Sequence, residues 1–355
     1  MAISYRDAVF LYCLKQIKDE RSIYSLFHLF QGKKSSQTIQ DAHLYKLTPF
    51  FRALPLITRI ELETTVKEFV NRGFLKQVAS ENFILTIEGE RELNEFGKCV
   101  TIPPKFLEGW KYHHLTTLFW ERLSLLVQVS SNLINKNKGF IPIQNKQETQ
   151  EWFKKFLKMQ NADRYELAER LYIELTECLH KEMSIEPAVL VLRLSGHNKI
   201  GLTSEQAAER LELTTTHYHL EFLNILHYMI KTLSTMKNDF PLLSSLVQDV
   251  QKEVPLTLST EKTFQLLEKG YVPNEIAAMR NLKMSTIEDH IVEIALHVKE
   301  FELSRYVQPD IEKRIIEVAS KNSAKKLKQI RDQVDGANYF EIRLVLARNG
   351  GQKWN

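Results

Sequence analysis

The sequence is short of the residues that punctuate a chain. Among 355 residues there are 12 Gly, 10 Pro and 3 Cys, against usual shares of roughly 7% for glycine and 5% for proline. Few breakers combined with many Leu, Ile, Glu and Lys favour helix over strand. The glycine shortage also bounds the chemistry. A P-loop needs two glycines four residues apart, followed by Lys and Ser or Thr, because backbone N–H groups must wrap the phosphates. Gly196 and Gly201 have that spacing, but Leu202 follows where lysine is required. Gly32-Lys33-Lys34-Ser35 lacks the upstream glycine, and no G-x-G-x-x-G occurs. A nucleotide-driven motor within this chain is therefore not expected.

Cys13, Cys99 and Cys178 are far apart and form no C-x-x-C pair, which argues against a zinc ribbon or a thioredoxin-type site. Three thiols without a leader fit a reducing compartment, so a cytoplasmic, nucleoid-associated protein is expected. The apolar run from Leu123 to Asn135 is too short for a bilayer, which needs about 20 residues. No H-E-x-x-H or G-x-S-x-G is present, and His113, His114 and His180 lack recognisable nucleophile partners. No catalytic residue, cofactor or metal site is expected. His217 and His219 are two apart, hence on different faces of a helix, and make a poor metal pair.

Charge of either sign is also scarce in excess. The net charge is +4, from 48 Lys and Arg against 44 Asp and Glu. Residues 1–100 hold 14 basic and 12 acidic residues, 101–255 hold 18 and 18, and 256–355 hold 16 and 14. The small excess lies in the two end regions. Any nucleic-acid affinity must then come from local patches.

What is present reads as a mainly α, multi-domain helix-turn-helix protein with a small winged-helix β-hairpin near the N-terminus. Four segments are expected: 1–100, winged-helix-like; 101–185, a helical spacer; 186–255, a second helix-turn-helix unit; and 256–355, a C-terminal helix-turn-helix domain. In the first, two short helices precede the turn Gln31 to Ser36, and Ser35 or Ser36 can cap a polar helix through Leu47. A helix 59–72 ends at Gly73, a candidate left-handed C′ residue. Phe74–Val78 and Phe83–Thr86 read as the two strands of a hairpin. Pro103-Pro104 marks a boundary.

In the spacer, Trp110, Tyr112, Phe119 and Trp120 read as core in preference to a base-stacking platform. Leu167, Leu171, Leu175 and Leu179 mark one helix face. In the third segment Thr203 and Gln206 form a capping box, Leu211-Glu212-Leu213 is the turn, and a long helix starts near Thr214 with no Lys or Arg at its leading edge. In the last, Gly270 ends a helix, Pro273 starts the next, and Asn281-Leu282-Lys283 is the turn. Ser285 and Glu288 are read as a capping box for the helix 284–300, and Asn338 with Glu341 caps the final helix.

The run TFQLLEKGYVPNEIAAMRNLKMSTIEDHI, with SAKKLKQIRDQVDGANYFEIRLVLA, resembles the helicase helix-turn-helix module at the C-terminal end of RecQ-type DNA helicases. It covers about the last 95 residues. A chain of this size with that module and no motor is similar to the YpbB family of Bacillus-like bacteria. The resemblance implies an accessory factor that binds duplex or forked DNA weakly and partners a separately encoded RecQ-type helicase in repair or recombination. A helix-turn-helix transcription regulator and a protein–protein scaffold are the alternatives.

Candidate DNA contacts follow from position and charge. Arg280 and Lys283 suit phosphates, and Ser285 and Thr286 lead the helix that would enter the major groove. Glu288 and Asp289 oppose approach to phosphate there. Lys321, Lys325, Lys326, Lys328 and Arg331 form a run without an intervening acid, open to reading as a phosphate patch or as an ordinary solvated face. Lys33, Lys34, Ser36 and Gln37 at a helix start form a second candidate anion site.

Overall fold

The computed structural model describes residues 3–160, 162–250, 256–321 and 327–349. Its helices are α1 (Tyr5–Ile17), α2 (Ile23–Gln31), α3 (Ser36–Leu44), α4 (Arg59–Asn71), α5 (Ile87–Gly97), α6 (Gly109–Ile134), α7 (Gln147–Gln160), α8 (Arg164–His180) and α9 (Ala188–Val191). They continue as α10 (Ser204–Arg210), α11 (Thr215–Thr235), α12 (Pro241–Ser244), α13 (Leu258–Glu268), α14 (Pro273–Met279), α15 (Met284–His297), α16 (Pro309–Lys321), α17 (Leu327–Arg331) and α18 (Tyr339–Asn349). Strands β1 (Leu75–Ala79) and β2 (Asn82–Leu85) make an antiparallel hairpin, with Leu75 opposite Leu85. The mainly helical expectation and the small hairpin are both present.

The chain forms two compact units. One is built from residues 1–9 and 97–251, the other from 10–96 and 252–355.

In the first unit, segments 101–185 and 186–250 share one apolar core. Helix α6 packs against α8 and α11. Trp110, Tyr112 and Phe119 are buried and Trp120 packs on the same core. Several charged and polar groups that enter this interior are held by specific partners. The buried Arg122 guanidinium lies 3.7 Å over the Trp152 ring and donates to Asp249 and to the Leu246 carbonyl. The Glu174 carboxylate accepts from the Leu242 and Leu243 N–H groups at the start of α12, where helical N–H groups have no intrahelical acceptor. The Tyr218 and Tyr228 hydroxyls donate to the carbonyls of Val189 and Cys178.

In the second unit, helix ends follow the local sequence. Ser35 caps α3 by accepting from the Thr38 N–H. Thr58 and Glu61 form a reciprocal capping box on α4. Gly73 is left-handed, at φ 75°, and turns the chain from α4 into β1. Gly89 in α5 lies against the backbone at Phe74, where a Cβ would stand 2.2 Å from the carbonyl oxygen. That close approach seats α5 on the hairpin. The Asn338–Glu341 capping box holds α18.

One local reading is corrected. Ser285 does not cap α15. The helix already runs from Met284, with Lys283 as its extended N-cap residue. An N-cap residue must lie outside helical φ and ψ, and Ser285 is two residues past the cap position, within the helix.

The parts of this unit that are distant in sequence meet side by side. Helix α15 packs against α13, α14 and α18, and also against α3 from the N-terminal part. Apolar Ile276, Ile287, Ile291 and Ile342 lie in the core beneath.

Candidate nucleic-acid interface

Helices α14 and α15 form a helix-turn-helix. Pro273 starts α14 without needing an N–H, and the Glu275 carboxylate accepts from the Val272 N–H at 3.0 Å. Asn281 is left-handed at φ 50°, Leu282 N–H donates to the Ala277 carbonyl at 2.9 Å, and Lys283 returns to extended backbone. The first unit repeats this frame at α10 and α11. Thr203 N–H donates to Gln206 at 2.9 Å, Glu212 is left-handed at φ 56°, Leu213 N–H donates to the Ala208 carbonyl at 2.9 Å, and Thr214 is extended. The two turns match residue for residue over 203–214 and 272–283. The turn between α2 and α3 uses Gly32 at φ 73° and is one residue longer to its cap, Ser35.

The two matched turns differ in charge. Leu211 and Thr214 stand where the C-terminal copy has Arg280 and Lys283. At the start of α11 the His217 ring is stacked on Tyr5, with centroids 4.0 Å apart. The leading edge of α11 therefore offers no cation and has an aromatic cover.

A helix-turn-helix conventionally lays its second helix in the DNA major groove. Here four polar side chains along α15, Asp289, His290, Glu293 and His297, are engaged inside the unit. Asp289, which had no role legible in the sequence, is paired with Arg343 of α18 at 2.7 Å. His290 Nδ1 and the Thr263 hydroxyl are 2.8 Å apart. The Glu293 carboxylate accepts from the Thr257 N–H, the Thr257 hydroxyl and the Thr260 hydroxyl. Its burial raises its pKa above the usual carboxylate value. The His297 ring stands edge-on to His43 of α3, with centroids 5.0 Å apart, and burial pushes its pKa down to about 3. Burial likewise holds His290 at about 4. What stays open is the first turn: Lys283, Met284 and Ser285 are exposed, and Thr286 is half-buried.

The other expected contacts divide in the same way. Arg280 is half-buried and turned inward, donating to the Ser259 carbonyl and hydroxyl and to the Thr263 hydroxyl. Ser36 accepts from Arg343, and Gln37 donates to Asp41 at 2.8 Å. Lys33 and Lys34 are exposed, with Lys34 adding a favourable charge near Glu293. Lys321 ends α16, and Lys325 and Lys326 lie outside the described residues. Lys328 is exposed, and Arg331 lies 4.7 Å over the Tyr339 ring. Arg343, absent from the sequence reading, is the residue that joins these parts. It contacts Ser36, Gln40 and Asp289 together.

Among the described residues no group of three or more His, Cys, Asp or Glu could hold a metal ion, and no helix is long and apolar enough to cross a membrane.

Residues 259–346 match a family described as a helix-turn-helix domain, a DNA-binding architecture. Along nearly its whole length the chain is similar to Protein YpbB of Bacillus subtilis (strain 168), 35% identical over 350 residues and covering 98% of each chain. No solved structure matches it.

Proposed function

The chain belongs to the YpbB family, and on that footing we propose that it is a non-enzymatic accessory factor that binds DNA weakly and partners a separately encoded RecQ-type helicase in repair or recombination. One observation carries the DNA part. The C-terminal helix-turn-helix is complete, yet most of α15's polar face is engaged within the unit, and its exposed lead is Lys283, Met284 and Ser285. Such a surface suits a few phosphate contacts and little base reading. Each neutralised phosphate adds about 0.9 to the slope of log affinity against log salt, so few contacts mean weak and salt-sensitive binding. The partner part is supported by the likeness of residues 256–349 to the module that RecQ-type helicases carry at their C-terminal end, and by the missing phosphate-binding glycines.

A transcription regulator would read bases along its recognition helix. The engagement of Asp289, His290, Glu293 and His297 within the unit disfavours that reading. The experiment is co-purification of the chain with a RecQ-type helicase from the same genome, joined to a salt titration of duplex and forked DNA binding. Retention of the helicase, with DNA binding that fades steeply with salt and ignores sequence, is expected. Tight binding to one defined sequence would favour the regulator, and helicase retention without DNA binding at low salt would favour a scaffold.

A further inference from the structure

The C-terminal helix-turn-helix domain has a second feature, at the end of α15 remote from Lys283. A groove of about 460 Å³ opens between the ends of α13 and α15 and the segment that follows. Its floor is aromatic and aliphatic: Phe264, Leu267, Val298, Phe301 and Tyr306. The Phe301 and Tyr306 rings stack at 5.6 Å. Its rim carries three carboxylates, Glu268, Glu300 and Glu302, against one cation, Arg305, which pairs with Glu302 at 3.2 Å. Lys269 and Lys299 adjoin in sequence but do not line the groove.

Two helices end at this groove, α13 at Glu268 and α15 at His297. A helix C-terminus carries about half a negative charge. The chain already places one guanidinium at this end of α15: Arg348 donates to the carbonyls of Val298 and Lys299, and its charge also acts on Glu300. Glu268 is then the rim carboxylate left least compensated, and the site shows a preference for guanidinium that it already uses once. Carboxylates, two helix C-termini and stacked ring faces favour a planar cation that can stack as well as pair. The same features repel a phosphate backbone.

We propose that this groove is a docking site for an arginine-bearing segment of a protein partner. The domain then has two ends with opposite preferences, about 20 Å apart along the length of α15. The cationic turn at Lys283 meets phosphate, and the acidic aromatic groove meets protein. The assignment does not depend on the partner being a helicase, nor on DNA binding.

The test uses the full chain and a fluorescein-labelled octa-arginine peptide, followed by fluorescence anisotropy. A Glu268→Gln, Glu300→Gln, Glu302→Gln triple variant should weaken peptide binding at least tenfold. A control triple of exposed acids on α8, Glu166→Gln, Glu169→Gln and Glu177→Gln, should change it less than twofold. Octa-lysine should bind more weakly than octa-arginine, because an ammonium does not stack as a guanidinium does. Equal losses from the two triples would overturn the proposal, since they would mean only diffuse charge attraction. No loss from the groove triple would overturn it too. Self-association of the chain that the groove triple abolishes would overturn it in favour of a second copy as the occupant.

Discussion

Arg343 on α18 holds Asp289 on α15, with a guanidinium nitrogen 2.7 Å from the carboxylate. The same side chain donates to Gln40 at 2.9 Å and to Ser36, both on α3, and Gln40 returns a bond to the Arg343 carbonyl at 3.2 Å. One planar cation thus ties the N-terminal and C-terminal parts of the second unit. Replacing it by alanine leaves three polar groups short of a partner. At about 1 kcal/mol for each hydrogen bond, Arg343→Ala should cost about 2–3 kcal/mol in urea unfolding. Arg343→Lys should recover only part, because a point charge cannot serve three directions at once. A loss below about 0.5 kcal/mol for the alanine variant, the range of an ordinary surface change, would contradict this role.

Glu293 should show a similar dependence on acceptor geometry. It is buried and accepts three hydrogen bonds from Thr257 and Thr260 at the start of α13. Glu293→Ala should destabilise by about 2–3 kcal/mol, through donors left without acceptors. Glu293→Gln keeps one acceptor oxygen and should cost less. Hydrogen exchange at the first turn of α13 should rise in the alanine variant and in step with the loss.

Stability should fall on mild acidification. His227, His290 and His297 are held neutral by burial, with pKa values pushed down to about 3, 4 and 3. Unfolded, each titrates near 6.5. Below that value the unfolded chain takes up protons that the folded chain refuses, so stability is lost as pH falls from about 6.5 toward 4. Each histidine contributes up to about tenfold per pH unit to the folding equilibrium. The raised pKa of Glu293 acts in the opposite sense, so the comparison needs a matched variant. Unfolding at pH 7 and pH 5 should differ less for His297→Gln than for the unaltered chain.

Two neighbouring cations should separate by readout. Lys283 is exposed at the lead of α15 and makes no side-chain cap hydrogen bond, whereas Arg280 donates into α13. Lys283→Ala should leave the melting temperature unchanged, weaken DNA binding across all sequences and lower the salt slope by about 1. Arg280→Ala should lower the melting temperature, by roughly 2–4 °C per kcal/mol lost in a chain of this class.

Much of the local structure was legible in the sequence, because its signals are local. Gly73 and Gly270 end helices as left-handed residues, Thr203 with Gln206 and Asn338 with Glu341 form capping boxes, and the hairpin follows α4. Each of these depends on residues at most four apart. The cap of α15 was misplaced by two residues, since Lys283 has no capping side chain to announce it. The candidate site was legible only in part. Asp289 and Arg343 are far apart in the chain, as are Gln40 and Arg343, and neither periodicity nor spacing marks such pairs. A polar face on a predicted recognition helix looks the same in sequence whether it meets DNA or buried threonines. Only the packing of α13, α18 and α3 around α15 tells them apart.

The most direct measurement is the unwinding of a forked duplex by a RecQ-type helicase from the same genome, with and without this chain, at low and physiological salt. An accessory factor should raise the unwinding rate or extent, and Lys283→Ala should reduce that gain while leaving the chain folded. No change in unwinding with the unaltered chain at either salt concentration would contradict the account.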